Sequence, residues 1–105
     1  MCGIAGFCNI KESYTAEAPA WNRVLSNMIR VQKRRGPDDE GIYLKDKCGL
    51  AHVRLSVIDL YTGSQPMSRY EEGRTCTIVY NGETYNMQEL KAELKERGVN
   101  FRTGS

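Results

Sequence analysis

The second residue of the chain, Cys2, is the first side chain that could act as a nucleophile. If Met1 is removed, a thiol and a free α-amine stand on the same residue. An α-amine has a pKa of about 7.7–8.0, so it can accept the thiol proton near neutral pH, directly or through a water. Catalysis by an N-terminal nucleophile works in this way, with the amine as general base. With Met1 retained the base is lost, and Cys2 then fits a small apolar residue at the end of a strand.

Two further places in the sequence combine polar groups with a constrained backbone. The dipeptide Asn81-Gly82 is the strongest turn signal in the chain. Two donors fixed on such a turn could stabilise an oxyanion by roughly a few kcal/mol. Arg54 lies in a predicted strand, and its guanidinium can grip a carboxylate bidentately, which lysine cannot do. Taken one at a time, the dipeptide also fits an ordinary hairpin turn, and Arg54 also fits a surface arginine at a strand edge.

Hydrophobic spacing predicts the elements that must position these groups. Strands are predicted at residues 2–9, 40–46, 48–58 and 75–80, with the start of a further strand at 99–103. The first helix is predicted at 19–34, ended by Gly36-Pro37. The second helix is predicted to begin at Asn86, with Glu89 as capping-box partner, and to end before Gly98. Residues 59–74 are predicted to form a loop, because glycine, proline and polar residues interrupt them.

The strand predicted at 48–58 separates polar from apolar side chains by simple alternation. One face carries the groups that could do chemistry: Leu50, His52, Arg54 and Ser56. The opposite face is predicted to be core: Ala51, Val53, Leu55 and Val57. A lone strand histidine is more often structural than catalytic, so His52 is left out of the catalytic set.

Composition excludes several classes of protein for these 105 residues. A hydrophobic fraction of 40% and a net charge of +2 indicate one globular domain, and no apolar run reaches the ~18 residues of a membrane span. The net charge is too small to predict nucleic-acid binding. The positive charge of Arg34-Arg35 is also cancelled locally by the acidic residues that follow. Four cysteines without a CxxC pair, and a single histidine, disfavour a disulfide scaffold or a zinc site at Cys2, Cys8 and His52. The absence of a signal-peptide pattern predicts a cytoplasmic protein with free thiols.

Five blocks, in order along the chain, carry a resemblance to a known family. The blocks are CGIAGF at 2–7, RRGPDD at 34–39, HVRLSVID at 52–59, QPM at 65–67 and YNGETYN at 80–86. Together they resemble the glutaminase domain of glutamine-hydrolysing asparagine synthetases, which are class II glutamine amidotransferases. The second and third blocks favour that branch over the sugar-phosphate and phosphoribosyl amidotransferases.

The resemblance implies both a fold and a set of site residues. The fold is α+β, an αββα sandwich of the N-terminal nucleophile hydrolase type, of which residues 1–105 supply the N-terminal portion. Cys2 would be the nucleophile that forms a thioester with glutamine, and Asn81 and Gly82 would form the oxyanion hole. Arg54 would bind the α-carboxylate of glutamine. The other residues that would line the glutamine site are Leu55, Ser56, Val57, Ile58 and Glu83.

The resemblance also implies partners that these 105 residues do not include. The family binds the α-amine of glutamine with an aspartate that would follow Ser105 directly, so this segment alone is expected to hydrolyse glutamine poorly. A C-terminal synthetase domain, with ATP and Mg, would use the ammonia to convert aspartate into asparagine. No cofactor is expected in this segment, and a homodimer is left open. Two alternatives remain at this stage: a related amidotransferase with another acceptor, and a non-catalytic interaction module.

Overall fold

The fold combines helices with antiparallel sheets, in a computed structural model that describes residues 2–56 and 63–103. The strands are β1 (Gly3–Cys8), β2 (Asp39–Lys45), β3 (Cys48–Arg54), β4 (Met67–Glu71) and β5 (Arg74–Ile78). The helices are α1 (Ala18–Val31) and α2 (Met87–Glu96), and a 3₁₀ turn (Tyr14–Glu17) leads into α1. The prediction of a mixed α+β class is therefore confirmed. Within the described ranges, no helix is long and apolar enough to cross a membrane.

A three-stranded sheet in the order β1-β3-β2 forms the centre of the structure. Both neighbours pair with β3 in antiparallel register, so β3 has a partner on each side. Helix α1 packs on one face of this sheet, where Leu25 and Ile29 meet Ala51 and Val53 in a buried cluster. At one end, the rings of Phe7, Tyr14 and Trp21 close the core with centroid distances of 4.7–5.1 Å. The opposite face of the sheet carries the polar side chains of β3.

The first helix follows the predicted apolar spacing but ends earlier than predicted. Pro19 lies in its first turn, where a missing N–H costs nothing. Helix α1 ends at Val31 instead of residue 34, and the Gln32 N–H bonds the Ile29 carbonyl at 3.0 Å in a tightened last turn. The chain then turns so that the buried Gly36 meets the backbone of β3.

The hairpin of β4 and β5 corrects the prediction of a loop at 59–74. Residues Glu72 and Gly73 both have positive φ, at 51° and 77°, which is the backbone of a two-residue hairpin turn. Across the pair, the Ser68 and Thr77 hydroxyls lie 2.8 Å apart. The turn of this hairpin is therefore Glu72-Gly73, whereas Gly82 lies in a bend between β5 and α2.

The second helix has the predicted ends, but it does not have the predicted cap bond. Asn86 is the N-cap residue, although its side chain makes no capping hydrogen bond. Gly98 has a φ of +88° and donates to the Lys95 carbonyl at 3.0 Å, while the Val99 N–H donates to Leu94 at 3.0 Å. These two bonds form a Schellman motif and confirm Gly98 as the terminating glycine. The apolar stripe of this helix is 38–41% exposed: Met87, Leu90 and Leu94.

The strand predicted at 99–103 does not form, and this prediction is wrong. Side chains hold the segment to β4 in place of a strand partner, because Arg69 donates to the Asn100 carbonyl at 3.3 Å and Arg102 donates to the Ser68 carbonyl at 2.6 Å. The strand predicted at 48–58 also ends early, at Arg54. Leu55 is consequently 38% exposed, contrary to the prediction that it is core. Val57 and Ile58 lie outside the described residues.

Candidate active site

The thiol of Cys2 lies against the main chain of Leu55. Strand β1 begins beside Cys2 at Gly3, which is paired with Val53, so Cys2 lies next to the point where β3 ends. The Leu55 N–H points at Cys2 Sγ at 3.4 Å, and Sγ is 3.8 Å from the Leu55 carbonyl oxygen. The half-buried Cys2 is thus held in a place suited to a nucleophile.

The loop between α1 and β2 holds the main chain of β1 in place. Arg35 Nε donates to the Cys2 carbonyl at 3.1 Å, and Gln32 Nε2 donates to the Ile4 carbonyl at 3.3 Å. Lys33 and Glu40 close the base of this loop with an exposed ion pair of 2.8 Å. Arg35 thus binds main chain at the candidate nucleophile, and the ion pair of this loop is made by its neighbour Lys33.

The same loop fixes the backbone that follows β3. A Cβ on Gly36 would collide with main-chain atoms of Val53 and Arg54, so only glycine allows this approach. The Asp38 N–H donates to the Arg54 carbonyl at 3.0 Å. The Asp38 carboxylate then accepts the Ser56 N–H at 2.8 Å. Asp38 thereby orders the residues that leave β3 and contact Cys2.

Arg54 is buried, with only 6% of its surface exposed. This burial disagrees with the alternative of a surface arginine at a strand edge. Strand alternation places Arg54 on the same face as His52, opposite the face that packs on α1. Its partner in the β2 register is Asp39. A guanidinium held at this depth is a strong candidate for binding a carboxylate.

The segment with the candidate oxyanion donors is tied to this same face through Tyr80. His52 Nε2 lies 3.3 Å from the Tyr80 carbonyl oxygen, and the Gln65 side chain also bonds the Tyr80 main chain. Asn81, Gly82 and Glu83 follow directly and are exposed.

The glycine of this segment lies close to the end of the exposed Tyr80 side chain. A Cβ on Gly82 would approach the Tyr80 phenol oxygen to 2.8 Å. Within residues 2–56 and 63–103, the hydrogen bonds of Cys2 reach Leu55 and Arg35, and they do not reach Asn81 or Gly82.

Burial lowers the pKa of His52, against a smaller rise from its bond to the Tyr80 carbonyl. The nearby Arg54 lowers this pKa further, and Asp39 raises it. At 1% exposure His52 is therefore a neutral imidazole near pH 7. Among the described residues, its Nδ1 has no hydrogen-bond partner. The bond of His52 Nε2 to the Tyr80 carbonyl supports the main chain at Tyr80.

Comparison with known protein families gives a match that covers the whole chain. Residues 1–105 match the sequence profile of a family described as the glutamine amidotransferase domain. The chain belongs to this glutamine amidotransferase family. The resemblance drawn from the five sequence blocks is thereby confirmed.

Several curated relatives of this amidotransferase domain are asparagine synthetases. Asparagine synthetase [glutamine-hydrolyzing] 3 of Bacillus subtilis (strain 168) is 38% identical over 101 residues, covering 96% of this chain and 16% of that protein. Asparagine synthetase B of Escherichia coli (strain K12) is 40% identical over the full chain and 18% of its own length. The glutamine-hydrolyzing asparagine synthetase of Zea mays is also 40% identical, over the full chain and 17% of its length. The chain thus spans less than a fifth of the length of these relatives.

The structure brings together four of the residues predicted for the glutamine site of this amidotransferase domain. Cys2, Arg54, Leu55 and Ser56 meet where β3 ends. The other described members reach the same face of the sheet through Tyr80: Asn81, Gly82 and Glu83. The two remaining members, Val57 and Ile58, lie outside the described residues.

Two residues of this amidotransferase domain have roles that their residue types and spacing do not indicate. Residue type makes Asp38 only a charge that offsets the preceding arginines, yet it binds the Ser56 N–H. Gln65 belongs to one of the family blocks, and its side chain bonds the main chain beside Asn81. The signal that both residues share is a neighbouring proline, which restricts the backbone beside each of them.

Proposed function

We propose that this amidotransferase domain hydrolyses the side-chain amide of glutamine to glutamate and ammonia. The observation that carries the proposal is the contact of Cys2 Sγ with the main chain of Leu55, one residue from the buried Arg54. In this proposal Cys2 is the nucleophile, and the guanidinium of Arg54 is the cation that would hold the carboxylate of the amino-acid substrate. The family assignment and the names of the relatives support the same substrate.

The proposed reaction uses Cys2 as both the nucleophile and, after removal of Met1, the carrier of the base. The α-amine takes the thiol proton, and Sγ attacks the carbon of the glutamine side-chain amide. The carbonyl oxygen becomes an oxyanion, which the Asn81 side-chain amide and the Gly82 N–H would stabilise. Collapse of this intermediate breaks the C–N bond, and the leaving nitrogen takes the proton and departs as ammonia. Water then cleaves the thioester, which releases glutamate and restores the thiol.

Binding of glutamine in this proposal relies on its α-carboxylate. Arg54 would hold that carboxylate by two parallel hydrogen bonds. The backbone after β3 would line the pocket, with Leu55 and Ser56 held by Cys2 and Asp38. Val57, Ile58 and Glu83 would complete it. The pocket thus depends on the loop between α1 and β2 as much as on β3 itself.

We also propose the wider setting that the resemblance implies. The two sheets would be layers of an αββα sandwich. Ammonia would pass to a C-terminal synthetase domain, where ATP and Mg drive amidation of aspartate to asparagine. No cofactor is assigned to the present residues. This part of the proposal rests on relatives of which the chain spans less than a fifth.

The test replaces the nucleophile in the full product of the gene. Cys2→Ala should lower the rate of glutamate release from glutamine by about a thousandfold or more, because the thioester cannot form. Ammonia-dependent synthesis should continue, since it bypasses the thiol. Cys8→Ala is the matched control, because Cys8 is an exposed cysteine at the far end of β1, and the activity of this variant should stay within about twofold.

A second measurement checks the covalent step directly. A chloroketone analogue of glutamine should add its mass to the wild-type protein at Cys2 and should not label Cys2→Ala. Glutamine hydrolysis that survives in Cys2→Ala would overturn the assignment of the nucleophile. A wild-type protein that neither hydrolyses glutamine nor binds the analogue would instead favour the interaction module.

A further inference from the structure

The side-chain amide of Gln65 bonds both main-chain groups of Tyr80. The Tyr80 N–H donates to Gln65 Oε1 at 2.5 Å, and Gln65 Nε2 donates to the Tyr80 carbonyl at 3.2 Å. This reciprocal pair copies the bonds that a neighbouring strand would make. Strand β5 has already ended at Ile78, so Gln65 takes the place of a strand partner for Tyr80.

Gln65 can act as a fixed point because its own backbone rests on the central sheet. The Ser64 hydroxyl donates to the Asp39 carboxylate at 2.6 Å. A Cβ on Gly41 would collide with the Gln65 carbonyl, so glycine on β2 permits this close approach. Through these contacts β2 determines the position of Gln65, and Gln65 determines the position of Tyr80.

The buried His52 reinforces the same carbonyl from β3. Its Nε2 lies 3.3 Å from the Tyr80 oxygen, which therefore has two neighbours, one for each lone pair. His52 is 1% exposed and Gln65 is half-buried, so both side chains approach Tyr80 from the protein side. Three hydrogen bonds thus hold the main chain of Tyr80, the residue directly before Asn81.

We propose that Gln65, assisted by His52, is a positioning residue that sets where the donors of Asn81 and Gly82 lie. This inference rests on the proposed function, in which those two residues hold the oxyanion. Gln65 acts through the Tyr80 main chain and does not touch the substrate. Misplacement of a catalytic group by about 1 Å can cost on the order of a hundredfold in rate, so loss of this anchor should lower kcat.

The experiment compares two substitutions of Gln65 with a matched control in the full product of the gene. Gln65→Leu removes both bonds, and its kcat for glutamine hydrolysis should fall by about tenfold to a hundredfold, with KM changed by less than about threefold. Gln65→Glu keeps an acceptor for the Tyr80 N–H but loses the donor, so its kcat should fall by less. Gln88→Leu makes the same change at an exposed glutamine of α2 and should leave kcat within about twofold.

A double-substitution test separates positioning from general damage to the structure. If Gln65 acts through the oxyanion donors, Gln65→Leu should lower kcat by a smaller factor in the Asn81→Ala background than in the wild type, because effects of residues that act as a unit do not multiply. A general structural role would multiply the two losses. Thermal unfolding of every variant shows whether the folded state is populated at the assay temperature.

The outcomes distinguish this inference from the proposed function. Full activity in Gln65→Leu and Gln65→Glu, both folded, would overturn the positioning role while leaving the proposed function intact. Fully multiplicative losses with Asn81→Ala would overturn it as well. If Gln65→Leu fails to fold, Gln65→Glu decides the question by the same comparison. A wild-type protein without glutamine hydrolysis would overturn the proposed function first.

Discussion

The carboxylate of Asp38 accepts the main-chain N–H of Ser56 at 2.8 Å. The N–H of Asp38 also donates to the Arg54 carbonyl at 3.0 Å, so one residue of the loop spans the end of β3. Between these two contacts lies Leu55, whose N–H faces the sulfur of Cys2. A carboxylate therefore takes over the role of a strand partner at the point where the nucleophile and the proposed glutamine pocket meet.

Asp38→Ala should weaken glutamine binding more than it slows the chemical step. The substitution leaves the Ser56 N–H without its charged acceptor, and a hydrogen bond to a charged group contributes about 1.5–3 kcal/mol. We expect KM for glutamine to rise by about tenfold, since the backbone of the pocket loses an anchor while Cys2 and its amine are retained. Steady-state kinetics with varied glutamine measure both parameters.

Two further variants control for the loss of charge at Asp38. Asp38→Asn keeps an oxygen acceptor and should show a smaller rise in KM than Asp38→Ala. Glu96→Ala removes an exposed carboxylate at the end of α2 and should leave KM within about twofold. An unchanged KM in a folded Asp38→Ala would show that the Ser56 contact does not shape the pocket.

Arg54→Lys should raise KM for glutamine while lowering kcat much less. Lysine keeps the charge but replaces two parallel hydrogen bonds by a single point contact. We expect the lost hydrogen bond to cost about 1.4 kcal/mol of binding free energy, which corresponds to a rise in KM of about tenfold. The comparison of kcat with KM for glutamine is the measurement.

An exposed arginine serves as the control for Arg54. Arg97 pairs with Glu93 at 2.9 Å on the surface of α2, and exposed pairs of this kind contribute little. Arg97→Lys should therefore leave both kinetic parameters within about twofold. If Arg54→Lys behaves in the same way, Arg54 does not bind the substrate carboxylate.

Much of the first sheet and its helix could be predicted from the sequence because the patterns there are strong. The spacing of Leu25 and Ile29 on α1 and the alternation in β3 both reflect burial against one core. The hairpin of β4 and β5 was missed because its turn uses Glu72, which tolerates a positive φ poorly, in place of asparagine. The more obvious dipeptide, Asn81-Gly82, lies outside that hairpin. Turn composition therefore indicated two places where the chain bends, without showing which of them joins two strands.

Some residues of the candidate site could be predicted from local sequence, and others depend on contacts between distant parts of the chain. Cys2 and Arg54 could be predicted from residue type and from the family resemblance, and the structure places them together where β3 ends. The roles of Asp38 and Gln65 depend on contacts across 18 and 15 residues of sequence. A single sequence contains no periodicity that reports such contacts, so these residues were found only in the folded chain.

Burial of His52 makes the stability of the domain depend on pH. Burial lowers the pKa of His52 below its ordinary value of about 6.5, although the Tyr80 carbonyl and Asp39 act in the opposite direction. In the unfolded chain the imidazole is free to take up a proton at about pH 6.5. As the pH falls below that value, the unfolded state binds more protons than the folded state, so the free energy of unfolding decreases. Well above about pH 6.5 the imidazole is neutral in both states, and this dependence vanishes.

The wild-type protein should therefore lose stability between about pH 6.5 and pH 5, and His52→Gln should lose less over the same range. One histidine can contribute at most about 1.4 kcal/mol per pH unit to this slope. Glutamine can still donate to the Tyr80 carbonyl but does not titrate, so the difference between the two proteins isolates the imidazole. Denaturant unfolding at pH 7.5, 6.5, 5.75 and 5.0 measures it. Identical slopes in both proteins would show that His52 is protonated as easily in the folded state as in the unfolded chain.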